Sequence, residues 1–431
     1  MATIKNNCTI KFDSGYVCAF CVLFLVSTSG IKWIPIIQLG GYALELHNTG
    51  SIAGIIATFM IALLKKRFVL PKEFLTIFIV LLFVAVFGIF RVGKISDNVI
   101  VSLTALLGAL VIVQISPFKV IKRYYYLSFL VLILTLFFSA KFSGADFFNG
   151  LLGYLASFNR NEFVFQTLRP IFNAFVNVKD EIIYNGSLVN HLASGFYLFF
   201  VISSGFIISR THKFKDLIIA TFSFFLIFSL FSSSVLGATL AAIAIALFFA
   251  FMQVHSRVWL LIGFSFVILI VPLVLPWIIS YLSTGVSGEM NSINTRAAQN
   301  SAALDSISNN LITGGGTISQ GGHGLHNLPL FAWTEGGVLG FLTVMVLYVF
   351  CIASIINGLK YLAKNKDEFR FEAFLLATLP IFIIIRSLFG GGGGLPGSSE
   401  AVALGLMVSA RRALGINYRI KELNRRSKFT I

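Results

Sequence analysis

The sequence predicts an all-α polytopic membrane protein of about twelve transmembrane helices with both termini cytoplasmic. Three observations predict it. Of 431 residues, 57% are hydrophobic and only 12% are charged, where a soluble domain carries about 25% charged residues. Mean hydropathy is +0.89, too high for a surface that water must cover. Finally, the apolar residues gather into runs of about the length that a helix needs to cross the hydrocarbon core, roughly 20 residues. Soluble enzymes, disordered chains and nucleic-acid readers are excluded, despite a formal charge of +16.

The expected spans run near 15–31, 49–64, 73–90, 98–115, 124–140, 189–209, 217–233, 235–254, 258–283, 335–358, 372–390 and 398–414. Pro272 and Pro276 should kink the ninth, because each removes a backbone donor. Asp13 precedes the first apolar run and no small-residue cleavage site follows it, so that run reads as a retained anchor. Counting basic residues loop by loop from a cytoplasmic N-terminus puts 24 of the 33 Lys and Arg on the cytoplasmic side. This is the asymmetry that sets orientation. The chain thus reads as one integral-membrane domain, 1–431, with a basic cytoplasmic tail at 415–431.

Cys18-x-x-Cys21 has metal-like spacing, but it lies in an apolar run with no second pair, and neither zinc nor redox chemistry is expected there. No disulfide framework is readable from the four cysteines.

Two long connections, 141–188 and 284–334, fall on the outer face and carry most of its polar chemistry. Long loops in compact proteins are uncommon and often functional. The first holds Arg160, Arg169 and Lys179 and leads into Asn190 and His191. The second holds Arg296, the triplet Gly314-Gly315-Gly316, His323, His326 and Asn327. Arginine binds phosphate through a planar, bidentate fork, so these cations suit an anion docking at the membrane surface. Their alternative reading is as solvated loop charges. Arg386 stands within the eleventh span, close to Gly390–Gly394. An ionisable group there marks a functional site or snorkels to the interface.

The sharpest local pattern is His326-Asn327, nine residues, then Gly337-Val338-Leu339-Gly340. A neutral imidazole accepts a hydroxyl proton near pH 7, and Asn327 would orient it or bind a sugar. The competing reading makes the histidine a capping or structural group.

This spacing resembles the bacterial O-antigen polymerase and O-antigen ligase superfamily, whose ligases carry a His-Asn pair followed after nine residues by Gly-x-x-Gly. Arg296 in Asn294-Thr295-Arg296, the turn at Gly314–Gly316 and the span entry Asn190-His191-Leu192-Ala193 match further places in that pattern. The likeness covers roughly the C-terminal 250 residues; residues 1–140 match only as a series of spans. One departure stands out. Many relatives carry Ser-Arg-Gly at the outer start of a span where this chain reads Ser234-Val235-Leu236-Gly237, so an expected phosphate-binding arginine is replaced by Val235.

The resemblance implies a metal-independent, inverting glycosyltransferase in the bacterial inner membrane, needing no cofactor, with its active site facing the periplasm. Its donor would be a glycan on undecaprenyl diphosphate, and its acceptor another lipid-linked repeat unit or lipid A-core. A polysaccharide chain-length regulator would be a further partner, besides the bilayer itself; nucleic acid would not. His326 would be the base, and Arg296, Arg386, Arg160, Arg169, Asn327, Asn190 and His191 would bind diphosphate and glycan. The missing arginine, the 46 phenylalanines and the divergent N-terminal part favour polymerase over ligase. A flippase or secondary transporter is the alternative from another class. Such proteins put charged sites near the midplane and show repeated halves, whereas here the chemistry sits in outer loops and no repeat is found.

Overall fold

The computed structural model describes residues 35–39, 42–92, 97–114, 119–157, 166–167, 170, 185–230, 232–252, 287–316, 325, 327–363, 369–389 and 397–427. It is a helical bundle with one short hairpin. The hairpin pairs β1 (Pro35–Leu39) with β2 (Tyr42–Glu45) in antiparallel fashion; the regular structure of the other described residues is helical, as expected of an all-α membrane protein. The first and ninth expected spans lie outside the described residues.

The other ten expected spans each coincide with a helix: α1 (Leu46–Lys65), α2 (Lys72–Val92), α3 (Asp97–Gln114), α4 (Lys119–Phe142), α6 (Asn185–Ile208), α7 (Phe214–Leu230), α8 (Ser233–Met252), α10 (Leu328–Ala363), α11 (Arg370–Phe389) and α12 (Ser398–Ser427). Among the described residues, two further helices lie within the long connections, α5 (Phe147–Ser157) in 141–188 and α9 (Ser287–Asn309) in 284–334. Among the described residues, five helices are long and apolar enough to cross a membrane: α2, α4, α6, α10 and α11. The apolar parts of α1, α3 and α8 are shorter.

Close helix approach in lipid relies on small residues, because burial of apolar surface gives little drive there. Helix α1 meets α3 at Gly54 and Gly108, where a Cβ on Gly54 would sit 2.4 Å from the Gly108 carbonyl oxygen. Gly358 of α10 likewise lies against α11, a Cβ there falling 2.6 Å from the Ala377 nitrogen. Buried aromatics fill the core: Tyr197 of α6 stacks on Phe382 of α11 at 4.4 Å, and Phe196 and Phe199 meet Phe129 of α4 edge-on.

One end of the bundle is tied together by basic residues of its helices. Lys65 donates to the Gln114 carbonyl at 3.1 Å, Arg411 pairs with Glu73, Lys122 pairs with Glu372, and Arg412 donates to the Val113 carbonyl. The ends of α1, α2, α3, α4 and α11 therefore meet there, together with the part of α12 around Arg411. At the same end, Asp216 of α7 accepts from the Tyr125 hydroxyl of α4.

Two boundaries differ from expectation. Helix α10 starts at Leu328 rather than 335, since Asn327 caps it and a kink at Gly337 does not end it. Helix α12 runs on to Ser427, so most of the basic tail is helical backbone.

Candidate functional site

At the opposite end, the second outer loop is fastened to α10. The cap comes first: the Asn327 side-chain oxygen accepts from the Leu330 N–H at 3.1 Å, satisfying one of the donors that every helix start leaves open. Leu325, two residues earlier, is buried. Asn327, expected to orient a base or bind sugar, thus serves the backbone with this oxygen.

Ten residues on, Gly337 takes φ 66° and ψ −172°, a conformation that favours glycine. The kink frees backbone groups. The Val338 N–H, which would bond Thr334 in a regular helix, instead donates to the Ile312 carbonyl at 3.0 Å. The released Thr334 carbonyl accepts from the Gly316 N–H at 3.0 Å and from Arg91 Nη1 at 2.9 Å. Loop and helix exchange the hydrogen bonds that the kink would otherwise leave unmade.

Arg91, at the end of α2, completes this clasp. Nη1 also reaches the Glu335 carbonyl at 3.3 Å and lies 3.8 Å from its carboxylate. Nη2 donates to the carbonyls of Thr313 and Gly314. A planar fork serves such a set of acceptors as an ammonium does not. The glycine triplet is small because it must be: a Cβ on Gly314 would fall 2.2 Å from the Trp333 carbonyl, and one on Gly315 2.0 Å from Ser306 Oγ. Trp333 adds a bond from its indole N–H to the Leu311 carbonyl at 2.9 Å. Helix α9 then lies on α10, burying Ala303 and Ile307 one turn apart.

A second cluster lies deeper. Arg386 is 1% exposed, so it neither snorkels nor faces lipid. Its Nε donates to Glu400 at 2.8 Å and its Nη1 to Ser234 Oγ at 3.1 Å. The other Glu400 oxygen accepts from the Gly397 N–H at 3.1 Å. Glu400 stands in the first turn of α12, where the helix dipole favours a carboxylate. His191, 8% exposed, comes close to the same place, its ring 3.6 Å from where a Gly397 Cβ would be.

This cluster joins α6, α8, α11 and α12. Along α11, Arg386 lies about 21 Å beyond Glu372, and along α2, Arg91 lies about 27 Å beyond Glu73.

Val235, the residue standing where the resemblance expects arginine, is fully buried. The Arg386 guanidinium arrives beside it by bonding Ser234, so a cation occupies that neighbourhood after all, supplied by α11. It arrives paired with a carboxylate, which changes its chemistry from an anion-docking charge to a neutral, directional pair.

The remaining site residues divide by what the structure describes. His326, His323, Arg160, Arg169 and Lys179 lie outside the described residues. Arg296 and Asn190 are placed only as backbone, Arg296 midway along α9 and Asn190 in the second turn of α6. Sequence reasoning missed Arg91 and Glu400. Arg91 belongs to no motif, and its acceptors are carbonyls more than 220 positions away; Glu400 offered only the signal of an acid in a first helical turn. No protein-family model matches the chain, and no curated protein matches it.

Proposed function

We propose that the chain is a membrane-embedded glycosyltransferase that acts on a lipid-diphosphate-linked glycan at the end of the bundle opposite its lysine-rich loops. The observation that supports this reading is the joint next to the His-Asn motif: Asn327 caps α10, and Arg91 with the glycine triplet ties the same helix to the polar loop. A site that moves a proton calls for a rigid support of this kind.

In the reaction, a sugar hydroxyl attacks the anomeric carbon of the donor. A new C–O bond forms, the bond from that carbon to the diphosphate oxygen breaks, and the diphosphate leaves with its lipid. His326 accepts the hydroxyl proton. Arg296, Arg160 and Arg169 balance the charge growing on the leaving diphosphate, with no metal required. Arg386, held by Glu400, positions the floor beneath them.

The acceptor in this reading is another lipid-linked repeat unit, making the chain an O-antigen polymerase of the bacterial inner membrane that acts on the periplasmic side. Deleting it should leave single repeat units on lipid A-core. Finished polymer stranded on the lipid carrier would instead show a ligase, and an unchanged polysaccharide pattern would defeat both.

A further inference from the structure

At the lysine-rich end, a cavity of about 300 Å³ opens between α4, α6 and α7, lined by Lys122, Tyr125, Phe206, Lys213, Lys215 and Asp216, with Thr211 completing the wall. It has no part in the proposed glycan transfer. Its size is at the lower end of small-ligand sites. Its charge balance favours an anion. Both oxygens of the one lining carboxylate, Asp216, are engaged, one by the Tyr125 hydroxyl and the other by the Lys213 N–H at 2.6 Å.

Lys122 is paired with Glu372 and lies over the Phe371 ring. Lys215 packs over the Tyr126 ring at 3.5 Å. Neither Lys213 nor Lys215 has a carboxylate within ion-pair distance among the described residues, and Lys213 is exposed. With Lys122 paired to Glu372, Lys213 and Lys215 leave the cavity one positive charge in excess of Asp216, whose field also reaches Lys215.

The surroundings choose the source of the anion. Phe214, Leu217 and Ile218, exposed apolar side chains of α7, flank these lysines in the chain, and Leu130 of α4 is also exposed, one turn beyond Tyr126. They form a surface for acyl chains directly beside a cationic cavity. Basic pockets between transmembrane helices at the cytoplasmic side are suited to phospholipid headgroups.

We infer that this cavity binds the phosphate of an anionic phospholipid from the adjoining leaflet, with Lys213 and Lys215 holding the headgroup and the exposed faces of α4 and α7 carrying its chains. A soluble phosphate would use the lysines but gain nothing from the apolar rim.

The full-length protein in detergent, titrated with short-chain phosphatidylglycerol, phosphatidylcholine or inorganic phosphate and read by native mass spectrometry, tests this. Phosphatidylglycerol should be retained well above phosphatidylcholine, and inorganic phosphate should compete weakly. Lys213→Gln with Lys215→Gln should lower retention roughly thirtyfold, at about a kilocalorie-scale contribution per lysine. Lys213→Gln alone, at an exposed position that tolerates change, should lower it roughly fivefold. Lys66→Gln with Arg67→Gln, at the same end but outside the cavity, should leave it unaltered. Equal retention of the two lipids, equal loss in the Lys66/Arg67 variant, or full competition by inorganic phosphate would each overturn the assignment.

Discussion

At the scale of residues, the Arg386–Glu400 pair sets the terms. Two charges buried together are stable only while both are present, and removing one partner of such a pair typically costs 3–5 kcal/mol. Glu400→Leu should therefore destabilise the protein by about that amount, whereas Arg386→Met combined with Glu400→Leu should recover most of the loss. Thermal unfolding in detergent measures both, and a double variant no better than the single one would show that pairing is not the source. Catalysis should separate from stability at the histidines. His326→Ala should lower transfer by roughly 10²–10⁴-fold, the usual worth of general-base assistance, while His323→Ala keeps near-normal polymer in cells. Asn327→Ala should cost about 1 kcal/mol through the lost cap. Arg296→Ala should weaken donor binding, and Arg296→Lys should restore little of it, because the fork is gone.

At the scale of elements, the joint between α10 and the second outer loop is the distinctive construction. The Gly316 and Val338 N–H groups report on it, since each crosses from loop to helix or back. Arg91→Lys should speed hydrogen exchange at both amides, as should Gly337→Ala, which places a Cβ 2.5 Å from the Ile312 carbonyl. Unchanged exchange in Arg91→Lys would mean that the glycines alone hold the joint. Helix positions were readable from the sequence because lipid leaves the backbone no other way to satisfy itself. The joint was not, because its bonds run from one arginine to carbonyls distant in the chain, and carbonyls carry no residue signature. The Gly-x-x-Gly pattern was visible, yet its first glycine makes a kink inside α10 rather than the helix start that the hydropathy suggested. Arg386 was visible as an odd charge; its pairing depends on Glu400, whose nearness follows only from the packing of α11 on α12.

At the scale of the whole molecule, the two ends differ in kind. One is bound by lysine and arginine contacts between helices, and the other carries the capped, kinked start of α10. A cysteine at Asn309, exposed at the end of α9, should react with an impermeant thiol reagent added to intact spheroplasts. One at Lys66 should react only after the membrane is opened; the reverse pattern would invert the proposed orientation. The claim that joins all three scales is lipid-linked glycan transfer, and reconstitution tests it most directly. The purified full-length chain in vesicles containing diphosphate-linked repeat units, with EDTA present, should build a ladder of longer lipid-linked glycans. His326→Ala should build none. Absence of any ladder with the wild-type chain, or a ladder that His326→Ala leaves intact, would contradict the account.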